Sequence, residues 1–194
     1  MAIVYPISTP TDIGIAQIDL GATNAVAVSK SPFTFATQVH AYSGEMWSAS
    51  VTIPTVRKDL AEPWVAFLMS LRGQFGTFLL GDPNCTSPQG TATSATISGS
   101  LGDRSVTVAM TGTLKAGDYF QLGSGSSAKL HKVLVDQSGN GTLEIWPALR
   151  TNYTTASATL TNPKGVFRLA SNQTNWGIGS NSAYSIQFEA MEDI

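Results

Sequence analysis

The side chains that most often carry chemistry in proteins are few and widely separated in this chain. Its only histidines are His40 and His131, and its single cysteine is Cys85. Isolated histidines are more often packing or surface residues than a catalytic or metal-binding pair, and no His, Cys, Asp or Glu spacing typical of a metal site occurs. A lone cysteine also rules out an intrachain disulfide. We therefore predict no enzyme activity, no metal and no cofactor.

Two further patterns with catalytic or binding associations have a plainer interpretation. Residues 123–129, GSGSSAK, superficially resemble a phosphate-binding loop. They lack the spacing G-x-x-x-x-G-K-[ST] and lie between predicted strands, which favours a hairpin tip. No G-x-S-x-G element is present, and no serine has an evident base partner. An enzyme would need a catalytic group that the sequence does not offer.

Exposed aromatic side chains on a β scaffold are the strongest remaining signal for ligand binding, because their faces can stack on sugars. Four residues are candidates: Trp47, Trp146, Trp176 and Tyr184. Trp47 and Tyr184 occupy alternating strand positions, so core packing explains them more economically. Trp176 lies in a loop rich in Asn and Gly, and we retain it as a candidate ligand or subunit contact.

The composition favours a protein that associates with copies of itself or with other subunits. Charged residues make up only 12% of the 194 residues, against roughly 25% in ordinary soluble domains. A weakly charged surface is poorly protected against association. A neutral extracellular β domain would have the same composition. The net charge of −2 gives no electrostatic footprint for nucleic-acid binding.

The sequence also lacks targeting signals. Its first residues, MAIVYPISTPTDIGI, contain no basic segment followed by a long apolar run. No window approaches 18 uninterrupted apolar residues, so we predict no membrane insertion. Since no secretion signal is evident, the simplest expectation is that the chain is made in the cytoplasm and is not secreted.

Strand patterns surround one strong helical pattern. The segment FTFATQVHAYSGEMWSASVTIP, from Phe33, alternates like two strands joined near Ser43-Gly44, and Pro54 should end the second strand. A helix is predicted at about 58–72, with Asp59 as its cap and Gly73 as its stop. Its apolar stripe is formed by Leu60, Trp64, Phe67, Leu68 and Leu71. The strand GTFLL follows and ends at Gly-Asp-Pro.

The sequence after Pro83 predicts a second domain that is inserted into the first, so that the first domain is discontinuous in sequence. A polar stretch rich in Ser and Thr after Pro83 is followed by short strands at roughly ten-residue spacing, typical of a compact β barrel or sandwich. We place this inserted all-β domain at residues 90–162. The closing segment AYSIQFEAMEDI, residues 183–194, alternates like residues 46–53 and should pair with them. Residues 1–89 and 163–194 therefore form one core domain, and the fold class is mainly β with one helix.

The sequence resembles a group of tail proteins from long-tailed bacteriophages and related prophages. The resemblance rests on MWSASVTIPTVRKDLAEPWVAFLMSLRGQFGTFLLGDPN, on GTLKAGDYFQLGSGSSAKLHKVLVD and on GTLEIWPALR. Within that group, the chain is most similar to the distal tail proteins. The matching positions, which in the family define the fold and carry no catalysis, are Trp47, Trp64, Leu71, Arg72, Gly73, Gln74, Gly76, Thr77, Phe78, Asp82, Pro83, Gly117, Asp118, Pro147 and Arg150.

The resemblance implies a structural role in the virion. Distal tail proteins form hexameric rings at the distal end of the tail tube and connect it to the tail tip or baseplate hub. Their core is a tail-tube-like β-sandwich with one flanking helix, and an inserted β domain projects from it. The expected partners are copies of this chain, the tail tube protein and the hub proteins, and DNA would pass through the lumen without sequence-specific binding. The alternative is a receptor-binding or glycan-binding accessory protein of the tail tip that acts through residues 90–162.

Overall fold

The computed structural model describes residues 2–194 and confirms a mainly β fold with one helix. The helix is α1, Lys58–Ser70. The strands, in chain order, are β1 Ile7–Ser8, β2 Gln17–Lys30, β3 Thr37–Arg57, β4 Thr77–Leu80, β5 Ala95–Gly99, β6 Ser105–Met110, β7 Thr113–Leu114, β8 Tyr119–Leu122, β9 Lys129–Val133, β10 Gln137–Ser138, β11 Gly141–Trp146, β12 Tyr153–Ala158, β13 Gly165–Leu169, β14 Trp176–Ile178 and β15 Ala183–Glu192.

The two ends of the chain form one seven-stranded sheet. Its strand order is β1-β4-β13-β15-β3-β2, and β14 also pairs with β15. The predicted pairing of the last strand with residues 46–53 is present, because Phe188 lies opposite Val51 and Ala190 opposite Ala49 in an antiparallel ladder. Alternation along β3 and β15 places one set of side chains in the core and the other set on the outer face.

Helix α1 covers the core face of this sheet. Trp64 and Leu68 are almost fully buried, and the ring of Trp64 lies 5.6 Å from Phe67 and 6.2 Å from Phe188. Two details of the predicted helix were wrong. Leu60 is 41% exposed, and Ala61 and Val65 are buried in its place. Asp59 is not the cap, because β3 runs directly into the helix and Arg57 occupies that position.

The helix also ends earlier than predicted, at Ser70 instead of residue 72. Leu71 is buried beyond its end, and Arg72 and Gly73 both adopt left-handed backbone conformations. Gly73 does not stop the helix itself but begins a short 3-10 turn, Gly73–Phe75. Glycine suits this position because its φ is +69° and an added Cβ would lie 2.8 Å from Oδ1 of Asn172.

Strand β3 is longer than the sequence pattern predicted. No turn occurs at Ser43-Gly44, since both residues lie inside one continuous strand that pairs with β2. Pro54 does not end this strand either. The register between β3 and β15 shifts between Tyr184 and Ile186, opposite Pro54. Such a bulge accommodates a residue that cannot donate a ladder hydrogen bond.

Residues 95–158 form a second, barrel-like sheet with its own core. Its strand order is β12-β5-β6-β11-β9-β8. Two backbone hydrogen bonds of 2.9 Å between Gln121 and Thr159 join the first and last strands of this order. The interior is filled by side chains that include Ile97, Phe120 and Leu143, each completely buried. The barrel therefore has a packed interior.

Candidate functional site

A long two-stranded ribbon extends from the first sheet, and we call residues 25–44 the arm. In β3, only residues 48–57 pair with β15, so nearer the arm's tip β3 has β2 as its single partner. Every residue of the arm is exposed except Ser31, which is half-buried. Six strand residues, 25–30, give the ribbon a reach of roughly 20 Å.

The arm has one apolar face and one polar face. Val28 pairs directly with Val39, and Val26 pairs with Ala41, so these side chains share a face. Val28 is 64% exposed and Val39 is 61% exposed. The opposite face carries the pair Ser29 and Gln38 and the neighbouring pair Ala27 and His40.

The tip of the arm is aromatic and carries a positive charge. Phe33 is 93% exposed, and Phe35 is also largely exposed. The ammonium group of Lys30 lies 4.9 Å from the centre of the Phe35 ring, a cation–π contact. A two-stranded ribbon with this much exposed apolar surface is at best marginally stable by itself in water. The arm must therefore be stabilised by the sheet at its base or by a partner.

The sheet that bears the arm ends in two different edges. One edge is β2, which pairs with β3 on one side only, and the other is β1, which pairs with β4 in parallel. Unpaired backbone groups along a strand edge can accept a further strand. Because β2 has 14 residues and β1 has two, the two edges differ in length. They also differ in the direction of their pairing, which is antiparallel for β2 and parallel for β1.

A cluster of charged side chains, in which both carboxylates are buried, fixes the base of the arm to the barrel. Glu45 accepts hydrogen bonds from Nε of Arg104 at 2.7 Å and from the backbone N–H of Ala148 at 2.6 Å. Nη2 of Arg150 donates to the Glu45 carbonyl oxygen at 2.6 Å and to Oε2 of Glu192 at 2.8 Å. The Arg150 guanidinium offsets the cost of burying the Glu192 carboxylate, while the Arg104 side chain, which pairs with Glu45, is half exposed.

Aromatic contacts lie beside the charges at the same junction. The rings of Trp47 and Trp146 meet edge to face at 4.4 Å. Nε1 of Trp47 donates to the carbonyl oxygen of Leu130 at 2.9 Å, and Nε1 of Trp146 donates to Oδ1 of Asn24 at 2.8 Å. The arm, the first sheet and the barrel therefore meet at one hydrogen-bonded junction.

The other residues singled out from the sequence have identifiable structural roles. Asp118 is buried, and its carboxylate accepts backbone N–H groups of Gln89 at 2.7 Å and Lys115 at 2.8 Å. Gly117 lies in the same turn, and Pro147 accepts a hydrogen bond from His131 through its carbonyl oxygen. The Asp118 contacts hold the chain where it enters the barrel, and the His131 contact holds the connection between β11 and β12.

The run after the helix, residues 74–83, likewise consists largely of residues that anchor the backbone. Gln74 donates from Nε2 to the carbonyl oxygen of Ala170 at 2.8 Å. Gly76 is required by close approach, since a Cβ there would lie 2.5 Å from the Tyr5 ring. Phe78 is completely buried and Thr77 is half-buried. Asp82 accepts the N–H of Asn84 at 2.9 Å, and Pro83, which is exposed, follows it.

Trp176 is the one aromatic candidate that borders an open groove. Trp47 and Tyr184 are buried, and Trp146 is engaged at the junction. Trp176 is half-buried, packs against the edge of the first core, and lines a groove of about 790 Å³ on the first sheet.

The groups with catalytic associations do not converge. His40 is exposed on the arm, and its ring meets Tyr42 at 4.6 Å. His131 is buried in the barrel, where loss of solvation lowers its pKa from 6.5 to about 4. Burial raises the pKa of the Cys85 thiol. Residues 123–129 connect the paired strands β8 and β9. Among residues 2–194, no group of three or more His, Cys, Asp or Glu side chains could hold a metal ion.

Sequence reasoning missed the arm, which is the largest exposed feature of the fold. The alternation of Val26 and Val28 in AVAVSK was a strand signal that was available. The charge cluster had no comparable signal, because Glu45, Arg150 and Glu192 are separated by long stretches of chain.

No protein-family model matches the chain, and no curated protein matches it. None of the described helical segments is long and apolar enough to cross a membrane.

Proposed function

We propose that this chain is a structural subunit of a bacteriophage tail, and that copies of it form a hexameric ring at the distal end of the tail tube. The observation that carries the proposal is the arm. It presents an apolar face about 20 Å long, and the side chains of this face are exposed. In a homo-oligomer, a second copy of the chain covers this apolar face.

The two sheet edges support a ring as the form of assembly. A closed ring requires heterologous contacts, in which each subunit presents different surfaces to its two neighbours. The long β2 edge and the short β1 edge lie at opposite ends of the strand order. The low charged fraction of 12% suits broad permanent interfaces, whose centres are depleted in charged residues.

The wider role rests on the resemblance of residues 45–150 to distal tail proteins. Under this proposal the ring joins the tail tube protein to the hub or tip proteins, and the virion tail is the location of the chain. The lumen lets DNA pass without sequence-specific contact, which suits a chain with a net charge of −2.

The test is the molar mass of the purified protein, measured by light scattering on a sizing column at high micromolar concentration, with negative-stain imaging of the main peak. We expect a species of near six times 20.4 kDa that appears as a ring with a central hole. A monomer, or an open filament without a ring, would contradict the proposal.

A further inference from the structure

We propose that the groove beside Trp176 is a binding site for a neutral oligosaccharide. This inference does not depend on ring formation, and it places the glycan contact on the first sheet instead of on the barrel.

The groove lies at a gap in the sheet. β13 pairs with residues 190–192 of β15, and β14 pairs with residues 184–186 of the same strand. Residues 187–189 of β15 therefore face an interruption between the two partner strands. The chain crosses this interruption as the loop 170–175, and the space of about 790 Å³ lies between that loop and the sheet.

Hydrogen bonds to Glu189 of β15 and to Gln74, in the turn after α1, hold the start of this loop in place. The backbone N–H of Ala170 donates to the carbonyl oxygen of Glu189 at 2.9 Å, and its carbonyl oxygen accepts Nε2 of Gln74 at 2.8 Å. Oδ1 of Asn172 accepts the backbone N–H of Gln74 at 3.0 Å. The start of the loop, residues 170–172, is therefore fixed before a ligand binds, which lowers the entropic cost of binding.

The chemistry of the lining fits a sugar without a charge. Trp176 offers part of an aromatic face, and Gln173, Asn175 and Gln187 offer amide donors and acceptors. Glu189 supplies the single charged group, since no Lys, Arg or His lines the groove and all three ion pairs found within residues 2–194 lie elsewhere. Sugar rings present C–H faces for aromatic stacking and hydroxyl groups for amides and carboxylates. The absence of a cation disfavours phosphate, sulfate and acidic sugars.

The experiment is a glycan array that carries neutral hexose and N-acetylhexosamine oligosaccharides beside sialylated and sulfated ones, followed by calorimetry with the best-bound neutral glycan. We expect neutral glycans to bind and the acidic ones to bind less. Trp176→Ala should weaken binding by about tenfold or more. Gln187→Ala, at an exposed position with little effect on folding, should also weaken binding.

Gln38→Ala is the matched control, because it removes an exposed strand glutamine far from the groove. It should leave affinity unchanged. Three results would overturn the proposal: no neutral glycan bound by the native protein, equal binding by the native protein and Trp176→Ala, or a preference for acidic glycans. Loss of the oligomer on Trp176→Ala without any glycan binding would assign Trp176 to a subunit contact instead. Because glycan binding and molar mass are measured separately, failure of this site is distinguishable from failure of the ring.

Discussion

The carboxylate of Glu45, at the base of the arm, accepts a hydrogen bond from Nε of Arg104 in the barrel at 2.7 Å. These residues are far apart in sequence: Glu45 lies in β3 of the first sheet, and Arg104 directly precedes β6 of the barrel. Glu45 is 5% exposed, and its second oxygen accepts the N–H of Ala148. One side chain therefore links the arm to two points of the barrel.

Replacing Glu45 should destabilise the protein through its buried partners. Glu45→Ala leaves the Ala148 N–H without an acceptor, so we expect a loss of about 2 to 4 kcal/mol in the free energy of unfolding. Glu45→Gln keeps an acceptor oxygen and should lose less. Urea unfolding measures both. Glu62→Ala, at an exposed position on α1, is the control and should change stability by under about 0.5 kcal/mol. Equal losses for Glu45→Ala and Glu62→Ala would contradict the junction described above.

The helix gives a second test of packing. Trp64→Ala should cost about 3 to 5 kcal/mol, because it removes a large, almost fully buried side chain between α1 and the sheet. Leu60→Ala on the same helix should cost under about 1 kcal/mol, since Leu60 is 41% exposed. Trp64→Phe should be milder than Trp64→Ala, because no residue within 2–194 accepts a hydrogen bond from Nε1 of Trp64. An unchanged thermal midpoint for Trp64→Ala would show that this helix face is not in the core.

The buried histidine predicts a loss of stability in acid. His131 lies inside the barrel, where burial lowers its pKa from 6.5 to about 4, while its Nδ1–H donates to the Pro147 carbonyl at 2.9 Å. The unfolded chain takes up the proton more readily, so this contribution is fully present above pH 6.5 and is lost as the pH falls towards 4. The loss is on the order of 3 kcal/mol.

The measurement is the free energy of unfolding between pH 4 and pH 7. His131→Leu should have a flatter pH profile than the native protein, whatever its stability at neutral pH. His40→Leu, at the exposed histidine, is the control and should retain the native slope. Identical slopes for the native protein and His131→Leu would assign the acid sensitivity to other groups.

The arm predicts a cleavage site that assembly should protect. Lys30 lies next to the exposed tip, where a protease can reach the backbone. Trypsin should cut first after Lys30 in dilute protein and much more slowly at high micromolar concentration, where subunits associate. Mass spectrometry of the fragments identifies the site, and Lys30→Gln removes it. A cutting rate after Lys30 that does not change with concentration would argue that the arm remains free.

The elements that depend on local pattern were predictable, and those that depend on distant partners were not. The helical period around Trp64 and the alternation around Val51 are local signals, and both elements are present. The end of the strand at Pro54 was wrong because β3 bulges there, with Pro54 and Thr55 opposite the single residue Ser185 of β15, and the bulge accommodates the missing donor. The turn at Ser43-Gly44 was wrong because β3 continues through it. These residues lie at a register shift opposite Ala25, and pairing with β2 continues on both sides, at Glu45 and at Ala41. The junction brings together Glu45, Arg150 and Glu192 from separate parts of the chain. No local sequence pattern predicts such a contact.

The most direct test of the central claim, that the arm joins copies of this chain, compares the molar mass of two double variants by light scattering. Val28→Asp with Val39→Asp places two charges on the apolar face. Ser29→Asp with Gln38→Asp places the same charges at the adjacent pair on the opposite face. We predict that the native protein and the second variant have near six times the chain mass of 20.4 kDa, and that the first variant is a monomer. The same mass for all three proteins would contradict the claim.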